Sequence, residues 1–570
     1  MKQEDDEGPF SLEETMETSP LLKGQRPISD AAMSEEHGAL RSAPPYSKVA
    51  VTAVFFFPAL GGLLFGYDIG ATSSVLTQLE SSTYSDVSWY EIVNDSTLLQ
   101  GIITSSGVLG AMVGSIICFS VENYLGRRRE LLIAAMLYFI GSLVEYYAGW
   151  SLWTGDWGLV VLMTGRITYG LACGFAMHGA PAYIGEMAPA AVRGVLVSMK
   201  EAMIVVGMLC GYTIGWILDD TVGGWRTTYG LGSVFAVVMF VGMFFMPPSA
   251  RWLVLSGKID AARKSLQFVT PGISELAIAE IQASAEKNEV ARQVGFEALW
   301  APGCRQALIV GLGLVSLQQV TGQPSVLYYA DTIFEDVGLD TLASVLVAAF
   351  KLVATLIAVF TVDKHGRVKL LTIGCVLMLA ALLALTIAFM FDYVSDSDCN
   401  AYTSDTSCVD YSSQCSWDSG CSCTSSSSSS GSSSYTTSDC ECCSASGISF
   451  QKGCILAAMF VYIGGYQVGF GPVVWLLISE VFPLEVRGKA ISLSVVANFG
   501  FNLLVTLVFP SELTYLGSAW TFLIFALIDA YAIYFIKMNV PETKGLSLEQ
   551  IEALFSRKGR RDQRAALGRD

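Results

Sequence analysis

Charge is what this chain of 570 residues has least of: Asp, Glu, Lys and Arg together make up 15% of it, against about a quarter in a soluble domain. That excludes a soluble multidomain enzyme with a polar shell. Positive charge is scarcer still, with 34 Lys and Arg against 51 Asp and Glu and a net charge of −17. Phosphate backbones demand a basic footprint, so no nucleic-acid partner is expected. Histidine is nearly absent, and His37, His178 and His365 offer no catalytic cluster. No Gly-Lys-Ser nucleotide loop occurs. Neither an enzymatic activity nor a cofactor or metal centre is expected.

Apolar residues are abundant, at 52% of the chain, and the mean hydropathy is +0.50. A helix that crosses the hydrocarbon core needs roughly 20 of them in a row. Such stretches lie near 49–79, 98–120, 131–149, 158–184, 194–218, 227–247, 304–330, 341–362, 369–391, 452–480, 488–510 and 517–538. Frequent Gly and the lack of alternating ten-residue strands favour helices over a barrel. The expected fold is an all-α membrane protein of twelve spans, with the lipid bilayer as its partner.

Short loops set the orientation. Arg127, Arg128 and Arg129 follow span two, Arg193 follows span four, and Lys364, Arg367 and Lys369 follow span eight. The positive-inside rule makes these loops cytosolic. The first loop on the other side carries Glu80, Asp86, Glu91 and Asp95. Both termini are then expected in the cytosol, with a polar linker of helices at 251–300.

Three patterns occur twice. Asn123-Tyr124-Leu125-Gly126-Arg127-Arg128 pairs with Asp363-Lys364-His365-Gly366-Arg367-Val368. Glu186-Met187-Ala188-Pro189 with Arg193-Gly194 pairs with Glu480-Val481-Phe482-Pro483 with Arg487-Gly488. Pro247-Pro248-Ser249-Ala250-Arg251 pairs with Pro541-Glu542-Thr543-Lys544-Gly545. The first offset is 240 (363 less 123) and the other two are 294 (480 less 186, 541 less 247), so 54 residues are inserted between Val368 and Glu480. The plan is two parallel six-helix halves, 47–250 and 301–540, with an insertion at 395–448 and polar tails at 1–46 and 541–570. Transporters so built bind substrate near the midplane between halves that rock around it.

Gly126-Arg127-Arg128, Gly165-Arg166, Gln318-Gln319, Gly471-Pro472-Val473-Val474-Trp475 and Pro541-Glu542-Thr543-Lys544-Gly545 together resemble the sugar-porter branch of the major facilitator superfamily. The resemblance covers roughly 49–555 apart from the insertion. Gly61 to Ser73, Met199-Lys200-Glu201 and Gln318 to Tyr329 are similar to the plant vacuolar glucose transporter and xylose–proton symporter-like group. There are departures. Asn123 stands where the family usually has Asp, Glu201 where many members have Gln, and Pro324 where many have Asn. The pattern Pro247-Pro248-Ser249-Ala250-Arg251 is degraded.

A sugar is a ring of hydroxyls with two apolar faces, so its site needs amides and an aromatic platform. Gln318 and Gln319 supply amides, Asn498 and Asn502 lie four apart on one face of span eleven, Gln323 is nearby, and Tyr328 adds a hydroxyl. Trp475 and Phe65 could stack on the ring, or simply pack in the core. The resemblance implies that Gln318, Gln319, Trp475 and Asn498 meet the sugar. It also puts Glu201 where others place a sugar-contacting Gln. Lys200, about 100° round the helix, need not neutralise Glu201.

Ionisable groups inside a membrane default to function. Asp68 lies deep in span one and Arg166 deep in span four, and the resemblance to proton-coupled members pairs them. Facilitative members generally carry Asn at the Asp68 position, so the carboxylate argues for coupling. Lys351 and Asp529 have no assigned role, snorkelling being the plain reading. Arg127, Glu186 and Arg193 in one half, and Arg367, Glu480 and Arg487 in the other, form repeated charge networks expected to gate the cytosolic end.

The insertion holds Cys399, Cys408, Cys415, Cys421, Cys423, Cys440, Cys442 and Cys443. An even count on the non-cytosolic side reads as disulfides, with zinc binding as an alternative. Its Ser run cannot build a core, so a poorly ordered loop is expected. Asn94-Asp95-Ser96 is a glycosylation sequon. The acidic tail at 1–46 is expected to be disordered. It is neither signal nor transit peptide, and Glu17 to Leu22 resembles an acidic dileucine signal toward vacuoles or lysosomes. The expectation for the whole is a monomeric proton-coupled transporter of a monosaccharide, glucose or xylose, in a vacuolar, lysosomal or plasma membrane. An uncoupled hexose or polyol facilitator and a transporter-like sugar sensor are the alternatives.

Overall fold

The structure is a computed structural model. It describes residues 46–150, 156–271, 278–279, 281–282, 296–301, 304–337, 339–361, 365–390, 415–417, 443–445, 450–483, 486–544 and 550–551. Eleven of its segments are helices long and apolar enough to cross a membrane. Spans one to six are Lys48–Glu80, Thr97–Leu125, Arg127–Tyr147, Trp157–Met187, Ala190–Leu218 and Gly224–Phe245. Spans eight and nine are Leu342–Thr361 and Arg367–Met390, and spans eleven and twelve are Arg487–Leu516 and Ser518–Asn539.

Spans seven and ten are broken where one continuous helix was expected. Span seven runs as Cys304–Val320, Gln323–Tyr328 and Ala330–Asp336. Gly322 has φ +91°, a left-handed conformation that ends the first piece. Pro324 stands in the first turn of the second piece, where it costs no helical hydrogen bond. The break is what kept span seven outside the eleven long helices, and with it the protein has twelve. Span ten is Phe450–Val468 followed by Phe470–Val481, the junction being Gly469.

Glycines set how closely the helices approach. On span one, a Cβ at Gly66 would stand 1.8 Å from the Ile204 carbonyl oxygen, and on span five a Cβ at Gly207 would stand 1.9 Å from that of Leu63. Small residues four apart allow such backbone contact in membranes, where no hydrophobic force drives helices together. Gly66→Val is therefore expected to prise spans one and five apart and lower stability by about 1–3 kcal/mol or more. Thermal unfolding in detergent reads this, with Gly185→Ala as a near-neutral control because nothing lies within 4 Å of its Cβ position.

The linker helices Ala250–Leu255 and Ile259–Val269 pack under the first half. Ser249 caps the former by accepting from Trp252 N, and Ser47 N, at the entry to span one, donates to Val269 O at 2.9 Å. Of the insertion, the described residues form a two-stranded antiparallel ribbon, Cys415–Trp417 with Cys443–Ala445. The other six cysteines, and the tail at 1–45, lie outside the described residues.

The end that carries Arg127 and Arg367 is the basic end. At the opposite end the two halves are joined by hydrogen bonds. Ser74 Oγ donates to Asp331 Oδ2 at 2.5 Å, and Asp331 N donates to Ser73 Oγ at 2.9 Å. Tyr212 donates to the Leu327 carbonyl, and Thr341 Oγ1 donates to Asp219 Oδ2 at 3.1 Å. Burial pushes the Asp219 carboxyl above its ordinary range, and the bond from Thr341 pulls it partly back. Gly194 and Gly488, which begin spans five and eleven, have nothing within 4 Å of their Cβ positions, and Arg193 and Val195 are exposed. The hydrogen bonds just given between the halves all lie at the end opposite the basic one.

Candidate functional site

The charged centre lies inside the first half. Arg166 is fully buried, and its guanidinium is ion-paired with Asp68 through both nitrogens of the fork. Arg166 Nη1 also lies 3.7 Å from Glu145 Oε1 on span three, and Nη2 donates to Thr104 O at 3.4 Å. Tyr229 presents its ring face 5.2 Å from the guanidinium carbon. Arg166 thus serves two buried carboxylates. With both ionised the triad carries a net negative charge, which is costly at this depth. One bound proton makes it neutral.

Glu145 did not stand out in the sequence, although the rule that singles out Asp68 applies to it equally. It lies near the end of the expected third span, where an acid reads as a boundary residue. Asp331 was missed likewise, because the break in span seven is what turns it toward Ser73 and Ser74.

An amide cluster sits in the second half. Gln318 Nε2 donates to Phe470 O at 2.8 Å, and Gln319 Nε2 donates to Asn498 Oδ1 at 2.6 Å. The two Gln side chains meet at 3.5 Å. Asn502 turns along its own helix and accepts from Thr506 Oγ1 at 3.1 Å. Gln323 is buried, and its amide nitrogen has no hydrogen-bond partner. Tyr328 is fully buried. Trp475 and Asn498 are half-buried. Phe65, also half-buried, lies edge-on to Phe499 with ring centroids 6.1 Å apart. Phe65 stands one turn before Asp68 in span one, and Phe499 is next to Asn498 in span eleven.

Two expectations about intramembrane charge are corrected. Lys200 Nζ lies 3.0 Å from Glu201 Oε1, so the neighbours do form an ion pair. The helical angle separates their Cα–Cβ bonds, but two long side chains reach round the helix surface. Lys351 does not snorkel. It is buried with its ammonium 5.9 Å from the centre of the Tyr466 ring. Asp529 is buried too, beside Cys375.

The basic-end networks repeat between halves. Arg127 Nε lies 3.5 Å from Glu186 Oε1, and Arg367 Nη2 lies 3.0 Å from Glu480 Oε1. Ser249 donates to Glu186 as Thr543 donates to Glu480. Arg193 Nε donates to Ala188 O at 3.3 Å as Arg487 Nε donates to Phe482 O at 3.0 Å. Each bond stays within its own half. Glu542 adds what the degraded first-half motif lacks: its carboxylate caps span nine by accepting from Arg367 N and Val368 N at 2.9 and 3.1 Å. Pro248 stands at the matching position. Asn94 is exposed at the end of a short helix at the opposite end of the protein.

Comparison with known proteins gives a consistent result. The family model described as "Sugar (and other) transporter" matches residues 54–412 and 421–555. A D-xylose-proton symporter-like protein of Arabidopsis thaliana is 38% identical over 530 residues, covering 89% of this chain and 91% of its own. Among solved structures, the proton:xylose symporter XylE bound to 6-bromo-6-deoxy-D-glucose is similar at TM-score 0.66 and 25% identity, covering 90% of this chain and all of that one. The same xylose transporter from E. coli in its inward open conformation is similar at TM-score 0.67 and 25% identity, covering 89% of this chain and all of that one.

Proposed function

The chain belongs to the sugar transporter family, and on that premise we propose that it is a proton-coupled monosaccharide transporter, of the xylose or glucose type, working by alternating access. The observation that carries the proton is the buried triad of Asp68, Arg166 and Glu145, two acids on one base. Protonation of Asp68 weakens its hold on both nitrogens of the Arg166 fork. Glu145 keeps the guanidinium compensated, so the release leaves no bare buried cation. The pair is then free to bias which end of the bundle is open.

The sugar lies between the halves. Gln318, Gln319, Gln323 and Asn498 bond its hydroxyls, Trp475 and Phe65 pack its faces, and Glu201, Tyr328 and Asn502 complete the site. A bound hydroxyl would satisfy the Gln323 amide, an orphaned buried donor that costs about 1–3 kcal/mol. The Phe65–Phe499 contact joins spans one and eleven, and we take it as the physical link between the two events. Gln319→Ala leaves Asn498 without its partner and is expected to raise the KM for sugar about tenfold, by the same range of energies.

We assign the basic end to the cytosol and read this conformer as inward-facing, because the hydrogen bonds described between the halves lie at the other end. The units that rock are 47–250 and 301–540. The networks of Arg127, Glu186 and Arg193 and of Arg367, Glu480 and Arg487 meet when the basic end closes. The protein acts as a monomer in a vacuolar, lysosomal or plasma membrane, with both tails cytosolic and Asn94 on the far side, available for glycosylation. Labelled xylose and glucose uptake into proteoliposomes, with and without an imposed pH gradient, tests the assignment. Accumulation above the bath concentration with the gradient supports it. Equilibration to the same level in both conditions leaves a facilitator.

A further inference from the structure

We propose that Cys118, Glu130 and His178 form a binding site for a divalent ion of the zinc class. The site lies toward the basic end of the first half, apart from both the amide cluster and Arg166. Its three residues come from three different helices: Cys118 from span two, Glu130 from the first turn of span three and His178 from span four. Their ligand atoms all lie within 4.8 Å of one another. Cys118 Sγ is 2.8 Å from Glu130 Oε1, His178 Nδ1 is 2.6 Å from the same oxygen, and sulfur and ring nitrogen are 3.4 Å apart.

Three features point to a metal. The donor set is one sulfur, one imidazole nitrogen and one carboxylate oxygen, a mixture that suits zinc and suits neither calcium nor magnesium. Bond lengths to tetrahedral zinc put such donors about 3.3–3.6 Å apart. The sulfur–nitrogen pair already stands there, and the other two need to open by less than about 1 Å. The second feature is charge: a divalent ion with one thiolate, one carboxylate and one neutral imidazole is electrically neutral, the form a membrane interior tolerates. The third is an orphan, because Glu130 is fully buried and its Oε2 has no hydrogen-bond partner. Arg127 Nη1 lies 3.8 Å from that oxygen.

Binding balances simply. The ion takes the lone pairs of sulfur, nitrogen and oxygen, the thiol proton passes to water, and a ring proton on Nδ1 moves to Nε2. His178 is the ligand with partial exposure, at 22% of its side chain, and so is the point of entry. Three protein ligands leave a fourth position for water. Once bound, the ion competes with Arg127 for the Glu130 carboxylate, and Arg127 also pairs with Glu186. The metal thereby reaches the basic-end network of this half without touching the sugar.

The test uses the full chain, stripped with a chelator and treated with iodoacetamide so that accessible thiols of the insertion are blocked. Zn²⁺ alone is titrated calorimetrically, and Co²⁺ is added separately to read a thiolate charge-transfer band. The expected result is a site that both Cys118→Ser and His178→Ala weaken by more than about tenfold, while Cys375→Ser leaves it unchanged. The Co²⁺ thiolate band should vanish in Cys118→Ser. Zn²⁺ affinity that is equal in all four proteins, or a Co²⁺ spectrum without the band, overturns the proposal and leaves a hydrogen-bonded cluster. If Cys118→Ser does not fold, His178→Asn supplies the same comparison. Sugar transport by the stripped wild type is read in parallel, so that failure of the metal site and failure of the transport assignment remain distinct.

Discussion

Asp68→Asn is expected to abolish gradient-driven accumulation of sugar while leaving sugar exchange intact. The reason lies in the count of charges around Arg166. Wild type holds two buried carboxylates on one guanidinium, and a proton must come and go for the triad to alternate between negative and neutral. Asn at position 68 keeps the shape and a carbonyl acceptor but fixes the neutral state, with Arg166 and Glu145 as a matched pair. No buried charge is stranded, so the variant should fold and should still open and close around sugar. What it loses is the free energy of the gradient. One pH unit is worth about 1.4 kcal/mol per proton, or about tenfold accumulation at one proton per sugar. The wild-type ratio of internal to external sugar should thus rise about tenfold per unit of imposed gradient, and the variant should stay near one. Accumulation by Asp68→Asn equal to wild type would remove Asp68 from the coupling step and leave Glu145 and Asp331 as the acids to test.

Some of this was legible in the residues alone. The 240- and 294-residue offsets predicted which charges at the basic end correspond, and the structure matches Ser249 with Thr543 and Arg193 with Arg487 down to the bonds each makes. Asp68 and Arg166 stood out because charge inside a span is rare, and the bundle brings them together. Glu145 did not stand out, because a hydropathy window cannot say how deep the end of a span lies. The breaks at Gly322, which is left-handed, and at Gly469 were hidden, since counting apolar residues is blind to one glycine in a long run. The Lys200–Glu201 pair was missed because helical angle fixes Cβ directions and not the reach of long side chains. The cluster of Cys118, Glu130 and His178 spreads over 60 residues and three helices. Nothing in its spacing predicts that the three meet, and only packing of spans two, three and four reveals it.

Arg166→Met should produce the largest loss of stability of any single change at the charged centre. It removes the guanidinium and strands Asp68 and Glu145, both buried. Taking away one partner of a buried ion pair typically costs about 3–5 kcal/mol, because the remaining charge has neither water nor a counterion. Here two carboxylates are left facing each other, so both should take up protons, and coupling is lost along with stability. The Thr104 carbonyl and the Tyr229 ring also lose their partner. Thermal unfolding in detergent should show a large drop, with transport absent. The double variant Arg166→Met with Asp68→Asn separates the causes, because it removes one of the stranded acids. If charge is the origin, the second substitution should restore part of the stability that the first removed, a non-additivity expected only for residues in one network. Additive losses would mean that Arg166 matters for its volume between spans one, three and four rather than for its charge. Arg166→Lys makes the same point from the other side. Lysine keeps the charge on a single nitrogen and cannot offer a fork, so it can match one carboxylate at a time. It should fold better than Arg166→Met yet accumulate sugar poorly, since the proton step depends on Arg166 letting go of Asp68 while still holding Glu145.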